Sequence, residues 1–160
     1  MRIYADNAAT TALSDTALSA MMPCFQEVFA NPSSLHTPGQ YGPGQRAKAA
    51  MEEARGQIAR CLGANPREIL FTSGGSEADN QALRTGAAMG ARKGKRHIIS
   101  TKFEHHAVLH TVSALEKEGY EVTLLDIPPD GVVTAQQVQE AIRPDTCLVS
   151  VMFANNEIGT

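Results

Sequence analysis

Three polar segments of the sequence are the first candidates for chemistry. They are Phe71-Thr72-Ser73-Gly74-Gly75-Ser76-Glu77, Glu104-His105-His106 and Asn155-Asn156-Glu157. In the first segment, paired glycines let the backbone turn sharply and approach a ligand closely. Free N–H groups at the start of a following helix favour a phosphate, to which Ser76 could add a hydroxyl. An ordinary turn, with Ser73 or Ser76 as the helix cap, would give the same pattern.

The other two segments carry side chains suited to an aromatic ligand. A histidine at a helix start feels the positive end of the helix dipole, so a neutral His105 ring could stack on a cofactor and exchange protons with a substrate. A solvated loop histidine is the alternative, and metal binding by His105, His106 and His110 is another. His106 and His110 lack the Glu of a metalloprotease helix, and we expect no metal site. The carboxamides of Asn155 and Asn156 suit a phenolic or carboxylate oxygen, although asparagine also favours plain turns.

Hydrophobic periodicity predicts the elements that position these segments. Helices are expected over 14–29, 41–62 with a stop at Gly63, from Ser76 to about 93, 106–118, and from a Thr134 capping box to Ile142. Strands are expected over 68–72, 97–100, 120–125 and 146–153. The last strand is the most apolar, which favours a place in the middle of a parallel sheet. This alternation predicts an α/β fold, a three-layer sandwich with a mostly parallel sheet. The three polar segments would then meet at the carboxyl edge of the sheet, where ligands bind.

Composition excludes several classes of protein. The 160 residues are 42% hydrophobic and 19% charged, which is enough for one core and argues against disorder. A formal net charge of −3 predicts no nucleic-acid partner and no membrane association. With no secretory signal in the sequence, we expect a cytoplasmic protein. The three cysteines fit neither a disulfide framework nor a zinc pattern, and Cys61 and Cys147 are expected to be buried.

Five segments occur in the order found in cysteine desulfurases, and the chain resembles that family over essentially its whole length. They are Tyr4-Ala5-Asp6-Asn7-Ala8-Ala9-Thr10-Thr11, Asn31-Pro32-Ser33-Ser34-Leu35-His36, Phe71 to Asn80, Glu104-His105-His106-Ala107-Val108-Leu109 and Asn155-Asn156-Glu157-Ile158-Gly159. Cysteine desulfurases are class V aminotransferases of the fold type I group of pyridoxal-phosphate enzymes. The resemblance implies an N-terminal arm over 1–13 and an incomplete cofactor-binding α/β domain over 14–160, part of a truncated large domain.

The resemblance also implies roles on the cofactor side. Gly75 and Ser76 match the positions that hold the phosphate of pyridoxal 5′-phosphate; Ser76 stands where many members have Thr. His105 matches the catalytic histidine that stacks on the pyridine ring and assists proton transfer. Asn156 matches the asparagine near the phenolic oxygen of the cofactor.

On the substrate side, Asn31 and His36 lie in a segment that resembles the substrate loop, and Ala9 and Thr10 belong to an arm near the same pocket. The family takes sulfur from L-cysteine onto a protein thiolate as a persulfide, releases L-alanine, and passes the sulfur to a scaffold or acceptor protein for iron–sulfur clusters or thiolated cofactors. A homodimer is implied by the resemblance as well.

The chain departs from the family pattern in what it lacks. The aspartate that pairs with the pyridine nitrogen, the lysine that holds the cofactor covalently and the nucleophilic cysteine have no match in it. None of its five lysines follows a histidine as that lysine does: Lys48, Lys93, Lys95, Lys102 and Lys117. We therefore expect a fragment that is inactive alone and that self-associates through the edge of its last strand.

Two other functions stay open at this point. One is a selenocysteine lyase or another class V aminotransferase relative. The other is a non-catalytic phosphate-binding α/β module, which would bind a nucleotide at Gly74-Gly75 and be indifferent to the loss of His105.

Overall fold

The computed structural model describes residues 3–34 and 42–160 and divides the chain into two compact units, Met1–Phe71 and Thr72–Thr160. His36, one of the predicted substrate-side residues, lies outside the described residues. In the described ranges, no helix has both the length and the apolar character needed to cross a membrane.

Two α-helices form most of the first unit. Helix α1 spans Asp15–Gln26 and begins at Ser14, whose side chain accepts the Ala17 N–H at 3.2 Å. It contains Pro23 and ends three residues before the predicted limit at 29. Helix α2 spans Pro43–Leu62, and Gly63 ends it in the left-handed conformation (φ 63°), which confirms the predicted stop. The prediction for Cys61 was wrong, because its side chain lies on an exposed face of α2.

The predicted strand over 68–72 does not form. Residues Pro66–Glu68 make a 3₁₀ helix instead, closed by a reciprocal capping box between Asn65 and Glu68. In the part of the chain that is described, the following residues pair with no strand. The Arg55 guanidinium donates a hydrogen bond to the Ile69 carbonyl and lies 4.7 Å from the centroid of the Phe71 ring. A β-branched and aromatic run becomes a strand only where another strand satisfies its backbone, and here a side chain does so for Ile69.

The second unit is an α/β domain with a parallel sheet, as predicted. Its elements in chain order are α3 (Gly75–Ala91), β1 (His97–Thr101), α4 (His106–Lys117), β2 (Glu121–Leu125), α5 (Ala135–Ala141) and β3 (Thr146–Val149). The strand order is β2-β1-β3, and both pairings are parallel. Thr134 and Gln137 form the predicted capping box at the start of α5.

Among the described strands β1 is central and the run 146–153 supplies an edge strand, so a middle place for this run stays a prediction for the whole domain. Every residue of β1 is buried, whereas β3 is half-buried and pairs with β1 alone among the described strands. Strand β3 also ends at Val149, and Phe153 is fully exposed in the loop that follows. An apolar run shows that side chains favour burial, but it does not specify how many strands flank it.

The core of this unit lies between the sheet and the helices α3 and α4. Its buried members are Leu83, Ala87, Ile98, Val108, Val112 and Leu115. Helix α3 lies directly against β3, because a Cβ added to Gly90 would come within 2.2 Å of the Cys147 Cβ. One added to Gly86 would meet the Leu148 methyl Cδ1 at 3.0 Å. This close contact fixes the position of α3, and with it the helix start that carries the first candidate segment.

A buried histidine links all three strands. His97 is completely buried at the start of β1. Its Nδ1 lies 2.7 Å from the Thr146 hydroxyl on β3, and its Nε2 lies 2.8 Å from the Thr123 hydroxyl on β2. Burial, and then the positive charge of Arg143, lower the pKa of this imidazole. His97 is therefore held neutral inside the sheet, at the edge opposite the polar loops.

Candidate functional site

The start of α3 presents free backbone donors. The cap residue is Gly74, which has no side chain, so neither Ser73 nor Ser76 serves as the cap. The first helical hydrogen bond runs from the Ala78 N–H to the Gly74 carbonyl at 3.1 Å. Within the described residues, the N–H groups of Gly75, Ser76 and Glu77 have no hydrogen-bond acceptor. These are the orphan donors at which helices bind anions.

The acid in this first turn does not pair with those donors. The Glu77 carboxylate accepts hydrogen bonds from the Ser73 hydroxyl and the Ser73 N–H, both at 2.6 Å. These two bonds lower the pKa of Glu77. The Glu77 carboxylate is thus stabilised by Ser73, and it accepts no hydrogen bond from the first-turn N–H groups.

The glycine pair acts differently from the sequence-based prediction. Gly74 is extended (φ 167°), a conformation open to any residue, so no sharp turn requires glycine here. A Cβ added to Gly74 or to Gly75 would meet no atom within 4 Å. The surroundings of both residues are therefore uncrowded, which leaves room for a ligand to approach the backbone closely.

His105 is the N-cap of α4. Its Nδ1 accepts the Ala107 N–H at 3.0 Å, so in this arrangement the ring hydrogen lies on Nε2. The ring itself is exposed. The His106 and His110 rings lie 5.4 Å apart, but no three His, Cys, Asp or Glu side chains in the described residues could hold a metal ion together.

His105 borders two neighbouring hollows of the second unit. One, of about 380 Å³, lies between α3 and α4 and is also lined by Ser76, Asn80 and Arg84. The other, of about 310 Å³, lies between the loops that follow β1 and β3, and Asn156 lines it. His105 lines both hollows, whereas Ser76 lines only the first and Asn156 only the second. Gly75 lines neither, although it directly precedes Ser76 at the helix start.

Two residues organise the second hollow in ways that the sequence did not predict: Glu104 was given no role, and Asn155, expected to offer its carboxamide to a ligand, has both ends of that group engaged by the chain. Asn155 is buried, its Nδ2 donates to the Phe103 carbonyl at 2.8 Å, and its Oδ1 accepts the N–H groups of Glu157 and Ile158. Glu104 is buried as well and accepts the Met152 N–H at 2.6 Å. Both residues directly precede a candidate site residue. That adjacency is visible in the sequence, but their burial is not.

The remaining candidates lie in the first unit. The Asn31 side chain accepts the Ser33 N–H at 2.9 Å and closes a local turn. Ala9 and Thr10 lie at the end of a turn, and their N–H groups donate to the Asp6 carbonyl at 3.2 and 3.5 Å. All three residues are exposed.

The donors at the start of α3 fit a phosphate monoester. Three N–H groups that are unpaired in the described residues, the Ser76 hydroxyl and the positive end of the helix dipole all favour a doubly charged group, and the backbone at Gly74 and Gly75 is uncrowded. The His105 ring borders the same hollow as Ser76. An aromatic ring carrying a phosphate would therefore find both of its parts matched by groups on this unit.

Comparison with known proteins identifies the family of the chain. The family model described as Aminotransferase class-V matches residues 3–160. The cysteine desulfurase IscS of Clostridium botulinum (strain Kyoto / Type A2) is 49% identical over 159 residues, which cover 99% of this chain and 38% of that protein. Among solved structures, a NifS-like protein superposes with a TM-score of 0.91 at 41% identity, over 100% of this chain and 42% of its own. A structure titled "SspA in complex with cysteine" gives a TM-score of 0.87 at 42% identity, over 98% and 44%. The chain thus spans about two fifths of the length of these relatives, and it belongs to the class-V aminotransferase family.

Proposed function

We propose that this chain is the N-terminal part of a pyridoxal-phosphate-dependent cysteine desulfurase. The whole enzyme would convert L-cysteine to L-alanine and a protein persulfide, whose sulfur goes to iron–sulfur cluster or thio-cofactor synthesis. One observation carries the proposal: Ser76, in the first turn of α3 where the N–H groups are unpaired in the described residues, lines the same hollow as His105. The cysteine desulfurase relatives, and a neighbour captured with cysteine, support this reaction over others of the family.

Each candidate site residue of the second unit would have a distinct role. The N–H groups of Gly75, Ser76 and Glu77, with the Ser76 hydroxyl, would bind the phosphate of pyridoxal 5′-phosphate. Once bound, the cofactor supplies an electron sink for the substrate. His105 would lie against the ring and move a proton at Nε2, because its Nδ1 is already engaged by the backbone of α4. The exposed Asn156 carboxamide would donate a hydrogen bond to the phenolic oxygen.

The proposal extends to the substrate and to partners on the family resemblance. Ala9, Thr10, Asn31 and His36 would lie on the substrate side. Partners would be a sulfur-acceptor or scaffold protein and a second copy of the chain in a homodimer. The enzyme would act in the cytoplasm.

Binding of a cofactor analogue to the purified chain tests the proposal. Pyridoxine 5′-phosphate is the appropriate probe, because it lacks the aldehyde that would label exposed lysines. We expect its own fluorescence to change on saturable binding. Pyridoxine without the phosphate should bind at least about tenfold more weakly, since hydrogen bonds to a charged group contribute about 1.5–3 kcal/mol.

Matched variants assign the binding to the proposed residues. Ser76→Ala should weaken binding about tenfold, whereas Ser113→Ala, at an exposed position on α4, should leave it unchanged. His105→Asn keeps a side chain that can cap the helix but removes the ring, and it should weaken the binding of pyridoxine 5′-phosphate. Equal binding of the two probes would refute the proposal. Tight binding that survives His105→Asn would indicate instead a phosphate-binding module without catalysis.

A further inference from the structure

Two buried side chains tie together the loops that follow β1 and β3. Glu104, in the first loop, accepts the Met152 N–H of the second loop at 2.6 Å. In return, Asn155 of the second loop donates to the Phe103 carbonyl of the first at 2.8 Å. Each of the two linking side chains is only 7% exposed, although both loops lie largely at the surface. We refer to this pair of hydrogen bonds as the loop clamp.

Each clamp residue directly precedes a residue of the proposed cofactor site. Glu104 is followed by His105, and Asn155 is followed by Asn156. The two site residues line the same hollow of about 310 Å³. A displacement of one loop relative to the other would therefore separate the ring of His105 from the carboxamide of Asn156.

Other contacts fix each site residue to its own loop but not to the other loop. The Asn155 Oδ1 holds the turn around Asn156 by accepting the Glu157 and Ile158 N–H groups at 2.8 and 3.0 Å. The His105 ring is fixed to α4 by the Ala107 N–H. Beyond the end of the strand pairing, the two bonds of the clamp are the hydrogen bonds that join these loops within the described residues.

We propose that Glu104 is a positioning residue that holds Asn156 and His105 in register by locking their loops together through the Met152 N–H. This inference rests on the proposed function for the identity of the ligand, while the clamp itself is formed by groups of this chain alone. The hydrogen bond of Glu104 goes to the Met152 N–H and not to the phosphate donors at the start of α3. Glu104 would therefore act by placing His105 and Asn156. A residue of this kind matters because small displacements of reacting groups reduce activity strongly.

The chemistry of Glu104 suggests a discriminating set of variants. Burial raises the pKa of its carboxyl, with a further contribution from the charge of Asp79, while the Met152 N–H opposes the shift. Glu104→Gln keeps an oxygen that can accept the Met152 N–H and removes the buried charge. Glu104→Ala removes the acceptor, and Glu104→Asp keeps the charge but draws it back by one methylene. Glu116→Ala, at an exposed position on α4, is the matched control.

Amide hydrogen exchange followed by NMR is the first measurement, and it needs no ligand. We expect Glu104→Ala to speed exchange at the Met152 amide by about tenfold or more and to shift the His105 ring and Asn156 carboxamide signals. Glu104→Gln should restore the parent values, and Glu116→Ala should not change them. If the Ala variant fails to fold, Glu104→Asp replaces it, with the same expected loss of protection. Unchanged Met152 exchange in these variants, or failure of Gln to restore it, would overturn the proposal.

The affinity for pyridoxine 5′-phosphate is the second measurement. Glu104→Ala should weaken binding about tenfold and Glu104→Gln by less than about twofold. Binding that is identical in all variants, with the expected exchange differences, would overturn the positioning role. If the parent chain binds no probe, the proposed function fails, and the NMR signals of His105 and Asn156 test the clamp alone. Signals that shift in Glu104→Ala but not in Glu104→Gln would support the clamp. Signals that shift in neither variant would refute it.

Discussion

The contact between α3 and β3 gives a prediction whose magnitude follows from distances. At Gly90, an added Cβ would lie 2.2 Å from the Cys147 Cβ, 2.8 Å from its Sγ and 3.3 Å from the Lys95 carbonyl oxygen. The first distance joins two atoms that are fixed by backbone, so no side-chain rotation relieves it. Gly90→Ala must therefore push the helix away from the strand by more than an ångström.

Two opposing effects set the size of the loss. Alanine in place of glycine within a helix contributes about 1 kcal/mol of stability. Overpacking of a tight core costs about 1–3 kcal/mol and occasionally more, and because the backbone must move here we take a cost of about 2–4 kcal/mol. The shift would also loosen Ala87 and Leu83, which belong to the same buried face of α3. We therefore expect a net loss of about 1–3 kcal/mol in the free energy of unfolding.

Urea unfolding followed by circular dichroism at 222 nm measures this change. Gly86→Ala is the matched control in the same helix, because its nearest contact is a Leu148 methyl group that can move aside. It should change stability by less than about 1 kcal/mol. Cys147→Gly should suppress the loss in a double-mutant cycle, since it removes both clashing atoms. A Gly90→Ala variant as stable as the parent, or a cycle with no coupling, would refute the described packing.

Two further predictions concern the sheet and its last helix. Because the pKa of His97 is lowered by folding, the unfolded chain binds the proton more readily. Stability should therefore be full above pH 6.5 and fall as the pH drops below that value toward the folded pKa. His97→Gln should be less stable at pH 8 yet show a flatter profile between pH 8 and 5 in urea unfolding, and parallel profiles would contradict this. Thr134→Ala removes the cap that accepts the Gln137 N–H at 3.2 Å and should cost about 1 kcal/mol, measured as a lower thermal midpoint. Thr134→Ser should retain most of that stability, and equal midpoints for Ala and the parent would exclude the capping role.

The helices and the fold class were predictable because their signals are local. Gly63 ends α2 in the conformation that favours glycine, and the Thr134–Gln137 capping box forms as the spacing indicates. The alternation of strands and helices was sufficient to predict a parallel sheet. These features depend on residues within a few positions of one another, so a single sequence contains them.

The errors fell where partners lie far apart in the chain. The segment 68–72 has strand-forming residues, yet Arg55 rather than a strand takes the Ile69 carbonyl. The apolar run 146–153 was expected to continue to Phe153, but β3 ends at Val149 and lies at the edge of the described sheet. The pair Gly86 and Gly90, four residues apart on one helix face, was a usable signal of close helix–strand packing that the sequence analysis did not use.

For the candidate site, the sequence indicated which residues to examine but not how they are held. His105 was expected at a helix start, and its ring nitrogen proved to be the cap itself. The burial of Glu104 and Asn155 depends on the loops of two different strands meeting, which no local pattern encodes. A charged residue next to a candidate histidine looks solvated until the fold places it against a second loop.

The position of the loop clamp follows from where the sheet ends. The pairing of β1 with β3 extends to a last bond from the Ser150 N–H to the Ile99 carbonyl at 2.9 Å. Beyond it, backbone pairing between these two strands stops, and the side chains of Glu104 and Asn155 bridge the continuing segments instead. Because each bridge precedes a site residue by one position, the register of the strands sets the relative placement of His105 and Asn156. A parallel sheet can thus fix the relative position of two irregular loops, provided that a buried acceptor and a buried donor continue the hydrogen bonding beyond the ends of the strands.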